Sequence, residues 1–188
     1  MTRSSLFRLP ALAAVLGTLA LAACQSKPPL PVMSSVDVSR YMGPWYVISS
    51  TPTFLDNGAY GAIESYEQAA NGHILTTYTF HKDSFDGPLK TMKPLGTVKK
   101  DGNGAVWDMQ FFAPIQADYR IMYVDPDYQV TLVGQTGRTR AWIMARKPSI
   151  SEAEYNRMID MLKAAGYDTT IMRRMPQVAA AANGRPGS

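Results

Sequence analysis

Cysteine is almost absent: the 188 residues contain one, Cys24, so no disulfide can form within this chain. Histidine is nearly as scarce. His73 and His81 stand eight positions apart, roughly 26 Å along one strand, which is too far to share a metal ion or form a dyad. There is no Gly-x-Ser-x-Gly elbow and no thiol nucleophile beyond position 24. Glu64 and Asp108 fall in mid-strand positions, but nothing pairs them into an acid/base couple. Charge of one sign is also lacking: 19 Lys and Arg against 15 Asp and Glu give a formal charge of +4, and no basic cluster is present. A nucleic-acid partner needs such a cluster to neutralise phosphates, so it is not expected. No catalytic constellation, metal site or cofactor motif emerges, and we read the chain as a non-enzyme with no cofactor.

Long hydrophobic runs are missing too. The apolar stretch from Leu9 to Leu21 is too short to span a bilayer comfortably and follows Arg3 and Arg8, which is the pattern of an export signal. "LAAC" closes it, and the ending resembles the lipobox of bacterial lipoproteins. That resemblance implies cleavage of residues 1–23 and acylation of Cys24, with an Ala-x-Ala cut beside an incidental cysteine as the alternative. Several acyl chains, each contributing about 0.8 kcal/mol per buried methylene, would hold the protein to a membrane. Gln25 rather than Asp after the cysteine implies the outer membrane of a Gram-negative envelope, on its periplasmic face. Residues 24–35, rich in Pro and Ser, are expected to be a flexible spacer. Residues 176–188 are expected to be a disordered tail, which leaves 36–175 as one folded domain.

What that domain does have is strands. Trp45 to Ser50, Ile63 to Glu67, Ile74 to Phe80, Leu95 to Lys99, Ala105 to Phe111, Tyr119 to Val124, Val130 to Val133 and Ala141 to Ala145 are β-branched or aromatic runs. Turn signals such as "DNGAYG", "KDGNG", "FAPIQAD" and "DPDY" separate them. The spacing predicts an all-β sandwich or an antiparallel up-and-down barrel, and composition does not choose between the two. One helix follows: Ser151 and Glu154 form a capping box, Tyr155, Met158, Ile159, Leu162 and Ala165 share a face, and Gly166 ends it. A short final strand is expected around Thr169 to Arg173.

This order of elements, with Gly43-x-Trp45-Tyr46 at the first strand, Asp125-Pro126-Asp127-Tyr128 after the sixth and "AWIMARKPSIS" at the eighth, resembles the lipocalin family and its bacterial outer-membrane lipoproteins. The resemblance implies an eight-stranded antiparallel barrel with one α-helix packed outside. It further implies that Trp45 packs beneath Arg146 at the closed end, with Gly43 and Pro44 shaping the corner. Pro126 departs from the family's Thr or Ser at that turn.

A barrel closed at one end leaves a cup at the other, wide enough for one small ligand. Strand alternation and the family pattern together place Val47 and Ser49, Tyr119, Ile121 and Tyr123, and Trp142 and Met144 inside. The phase of the third strand, with Ile74, Tyr78 and Phe80, stays open. The expected lining suits a fatty acid or lysophospholipid, with Tyr119 and Trp142 as polar handles and Lys82, Lys90 and Lys93 near a phosphate headgroup. A barrel filled by its own side chains, with its function on the outer surface, remains the rival reading, and a lipid-modifying enzyme a more distant one. A homodimer stays open.

Overall fold

The computed structural model describes residues 29–112 and 114–178. The expected signal segment, Cys24 and most of the tail lie outside these residues. Ten strands form one antiparallel sheet: β1 (Gly43–Ser50), β2 (Ala59–Gln68), β3 (His73–Lys82), β4 (Leu89–Met92), β5 (Leu95–Val98), β6 (Val106–Phe112), β7 (Ile115–Val124), β8 (Val130–Gly134), β9 (Ala141–Ala145) and β10 (Arg173–Arg174). Consecutive strands pair from β1 to β4 and from β5 to β9, and β9 then pairs back with β1, closing the barrel. Both β4 and β5 pair with β3, so the two pieces, broken at Lys93-Pro94, form one interrupted barrel strand. Proline removes a ladder donor, which explains the break. The closed barrel therefore has eight strands. Sequence pattern missed β4, which is short and exposed, and read "FAPIQAD" as a turn although β7 already begins at Ile115.

Two apolar clusters define inside and outside. Trp45, Val47, Ile74, Tyr78, Phe80, Trp107, Tyr119, Ile121 and Met144 lie in the cluster enclosed by the barrel, which settles the phase of β3 as inward. Ile48, Met122, Leu132 and Ile143 pack on the opposite face with Met158 and Leu162 of α2 (Glu152–Ala164). The Ser151 hydroxyl caps α2 by accepting from the Glu154 amide at 3.2 Å, and Gly166, with φ +85°, terminates it.

β-bulges overturn two inward assignments. Register shifts between Ile121 and Tyr123, so Met122 and Tyr123 both turn outward and Val124 returns to the interior. Tyr123 thus lies under α2, where Arg157 stacks 4.6 Å from its ring and donates to its hydroxyl at 3.2 Å. A similar shift between Val47 and Ser49 lets the Ser49 hydroxyl donate to the Arg173 carbonyl at 2.9 Å. An extra residue in one strand breaks strict alternation, and period-two reasoning cannot foresee it.

The folded body is also longer than 36–175. Leu30, Val32 and Met33 pack on the barrel, and the Met33 amide donates to the Ile121 carbonyl at 2.9 Å, so the second half of the supposed spacer is docked. At the other end, the Gln177 amide nitrogen donates to the Val47 and Ala62 carbonyls at 2.8 and 2.9 Å. It clasps β1 and β2 where their ladder ends, since their pairing stops at Tyr46–Ile63.

Candidate ligand-binding cup

The floor is built first. Asp37 caps the short helix α1 (Val38–Tyr41), accepting from the Ser39 and Arg40 amides, and the chain turns through Gly43 at φ +88° into β1. Trp45 is fully buried and donates its indole N–H to the Tyr41 carbonyl at 2.8 Å. The Arg146 guanidinium lies 3.8 Å from the Trp45 ring centroid. It also donates to the carbonyls of Arg40, Tyr41, Met42, Pro44 and Tyr128 at 2.7–3.3 Å. The arginine therefore gathers the unpaired carbonyls at the end of α1 and seals the barrel. Pro126 leaves the neighbouring turn intact because Asp125 accepts from the Gln129 and Val130 amides, both at 2.6 Å.

Above Trp45 the interior is packed with rings. Trp107 stacks on Tyr119 at 5.1 Å, Tyr66 meets Trp107 edge-on at 5.5 Å, and Tyr119 faces Trp142 at 6.4 Å. Hydroxyls join them: Tyr66 to Tyr119 at 2.6 Å, Tyr119 to Tyr41 at 3.0 Å and Tyr41 to Thr131 at 3.2 Å. Burial holds the Tyr41, Tyr66 and Tyr119 hydroxyls well above the ordinary phenol range, so all three stay protonated.

The open space begins only above this layer. A pocket of about 50 Å³ is lined by Leu55, Asp56, Glu64, Tyr78, Phe111 and Trp142, with Tyr119 at its base and Arg140 on its rim. It shares Leu55, Phe111 and Arg140 with a wider groove of about 410 Å³ between the β1–β2 loop and the β6–β7 and β8–β9 connections. Phe54, 85% exposed, stands at the edge of that groove.

Of the residues the sequence pointed to, Tyr119 and Trp142 line the pocket. Val47, Ile121 and Met144 are buried in the interior cluster but fill the packed layer below it. Tyr123 is outside. The Tyr119 hydroxyl is engaged by the floor, so what it presents to the pocket is its ring rather than a polar handle. Asp108 is on the outer surface, paired with Lys99 at 3.0 Å. Lys82 is held by Asp83 at 3.3 Å and by the Asn57 carbonyl.

Two acidic residues in the pocket were not foreseen as ligand contacts. Glu64 shares its inward face with Ala62 and Tyr66, an alternation legible in "AIESYE". Burial pushes its carboxyl up to about 7, the Tyr66 hydroxyl acting against this and the Asp56 charge adding to it. One Asp56 oxygen accepts from the Thr53 amide and hydroxyl, both at 2.7 Å, and the other has only a long contact to the Tyr78 hydroxyl at 3.5 Å. Among the described residues no ion pair reaches either carboxyl.

Comparison with known proteins fits this geometry. Residues 36–177 match the family model described as a lipocalin-like domain. Temperature-induced lipocalin-1 of Arabidopsis thaliana is 30% identical over 163 residues, 80% of this chain and 84% of that protein. The outer membrane lipoprotein Blc of Citrobacter freundii is 26% identical over 163 residues, covering 85% and 92% of the two chains. Among solved structures, insecticyanin from the tobacco hornworm Manduca sexta superposes with a TM-score of 0.63 at 14% identity, over 83% of this chain and 88% of that one. Lobster apocrustacyanin A1 gives 0.59 at 13%, over 80% and 92%. At such identities the structural likeness concerns the fold alone.

Proposed function

The chain belongs to the lipocalin family, whose barrels are in general non-enzymatic binders of small hydrophobic ligands, and from that premise we propose that it carries a single-chain lipid, a fatty acid or lysophospholipid, in the cell envelope. The observation that carries this reading is the cup itself. Arg146 and Trp45 seal one end, and the other opens through an apolar rim of Leu55, Phe111 and Trp142 into the wider groove. Binding is transfer of apolar area from water into that preformed surface, at about 25 cal/mol per Å² before the cost of association. No covalent step is involved.

Cleavage before Cys24 and acylation of that residue would tether the barrel to the outer membrane. The lipobox pattern and the similarity to outer membrane lipoproteins from Citrobacter freundii and Escherichia coli support that placement. The small inner pocket also favours a second reading, an envelope lipoprotein that works through its outer surface. Native mass spectrometry of the domain from residue 29, purified gently, delipidated and retitrated, separates the two. A stoichiometric lipid adduct that returns on titration supports the carrier. A folded domain with no adduct to any fatty acid or lysophospholipid overturns it in favour of the second.

A further inference from the structure

Glu64 and Asp56 place two carboxyls at the inner end of the cup, where an acyl carboxylate or phosphate would be repelled. Glu64 is 9% exposed and Asp56 7%, and both line the same pocket of about 50 Å³. That space is small for a hydrocarbon chain but holds a group the size of an ammonium.

Thr131 gives its one hydroxyl proton to the Tyr123 carbonyl at 2.9 Å. Tyr41 must therefore donate to Thr131, Tyr119 to Tyr41 and Tyr66 to Tyr119, because each hydroxyl has a single proton. The Tyr66 hydroxyl, which also acts to hold the Glu64 carboxyl down, is thereby drawn toward Tyr119 at 2.6 Å, so Tyr119 and Glu64 compete for one proton. The second Asp56 oxygen has only the Tyr78 hydroxyl as donor, at 3.5 Å. An ionised Glu64 thus has at most a contested share of one hydroxyl proton, in a buried site where an unmet demand for donors is costly.

Resting on the lipid-carrier reading, we propose that Glu64 and Asp56 form a cation subsite, and that the preferred ligand is a single-chain amphiphile bearing a primary ammonium that enters head first. Its N–H groups satisfy Glu64 and the weakly held second oxygen of Asp56, and its chain runs outward past Leu55, Phe111 and Trp142 into the groove. A free alkylamine and an ethanolamine lysophospholipid share this chemistry. In the second, the phosphate lies nearer the rim, where Arg140 stands.

Calorimetric titration of the domain from residue 29 with decylamine, decanol and decanoate at neutral pH tests the proposal. Decylamine is expected to bind about tenfold or more tightly than decanoate, and Glu64→Gln to lose about tenfold for decylamine while changing decanol by less than about threefold. Asp56→Asn should weaken decylamine in the same sense. Equal binding of the three probes, or an unchanged decylamine affinity in Glu64→Gln, overturns the cation subsite and leaves the carrier standing. No binding of any probe or of a lysophospholipid overturns both. Chain-matched lysophosphatidylethanolamine and lysophosphatidylglycerol then separate the two sources. A preference for the first that Glu64→Gln removes, with both lipids weakened by Arg140→Ala, identifies a headgroup, and equal binding of the pair alongside tight decylamine identifies a free amine.

Discussion

Glu64→Gln should remove most of the pH dependence of stability between about pH 5 and 8. In the folded chain the carboxyl titrates near 7, against an ordinary value of 4.5, with burial as the leading cause. Between those values the folded state holds a proton that the unfolded state has released, so stability falls as pH rises through this window. At about 1.4 kcal/mol per unit the loss is roughly 3 kcal/mol, complete above pH 7. For a domain of this size that is about 10 °C in melting temperature. Glutamine keeps the shape of the neutral acid and cannot ionise, so the variant should match the wild type near pH 5 and exceed it near pH 8. Urea or thermal unfolding of both proteins across the window measures this, and every other titrating group cancels in the comparison. Parallel pH profiles for the two proteins would refute the argument, because they would mean that Glu64 ionises without a burial penalty.

Four further outcomes are expected. Arg146→Ala should cost about 2–4 kcal/mol by urea unfolding, because it removes one donor from each of five floor carbonyls and uncovers Trp45; a cost under about 1 kcal/mol would show that water replaces it. Thr76→Val should stabilise by about 1 kcal/mol, since the Thr76 hydroxyl is buried without a partner; a lower melting temperature would count against that. Removing residues after Met175 should cost about 1–2 kcal/mol through loss of the Gln177 clasp, and an unchanged melt would contradict it. Trp142→Arg, at the pocket rim, should abolish lipid adducts in native mass spectra while leaving the circular dichroism of the barrel intact; retained adducts would displace the site.

How much of this was legible beforehand follows from the range of the interactions involved. Local chemistry was enough for α2, whose cap Ser151, apolar stripe and terminal Gly166 all lie within sixteen residues. The strands were also readable, because β-branched and aromatic runs between turn residues need only their neighbours. The resemblance carried by Gly43, Trp45 and Arg146 supplied the closed floor, and the structure stacks the guanidinium on the indole at 3.8 Å. The broken strand at Pro94, the bulge that turns Tyr123 out under α2 and the clasp by Gln177 depend on partners far away in sequence.

The pocket shows the same divide. "AIESYE" sets Glu64 and Tyr66 on one face by itself. Whether that face meets solvent or the interior depends on barrel closure, and whether the carboxyl has a counter-ion depends on the other strands and loops that line the pocket. The sequence by itself determined the order of strands and the helix, because these rest on short-range sterics, capping and alternation, while the floor pair Trp45 and Arg146 came from the family resemblance. Only the tertiary structure decided that rings fill the lower barrel, that the remaining space is small and lined by Glu64 and Asp56, and that the floor hydroxyls bond to one another. Those outcomes are set by packing volume and long-range proximity, which no local pattern encodes.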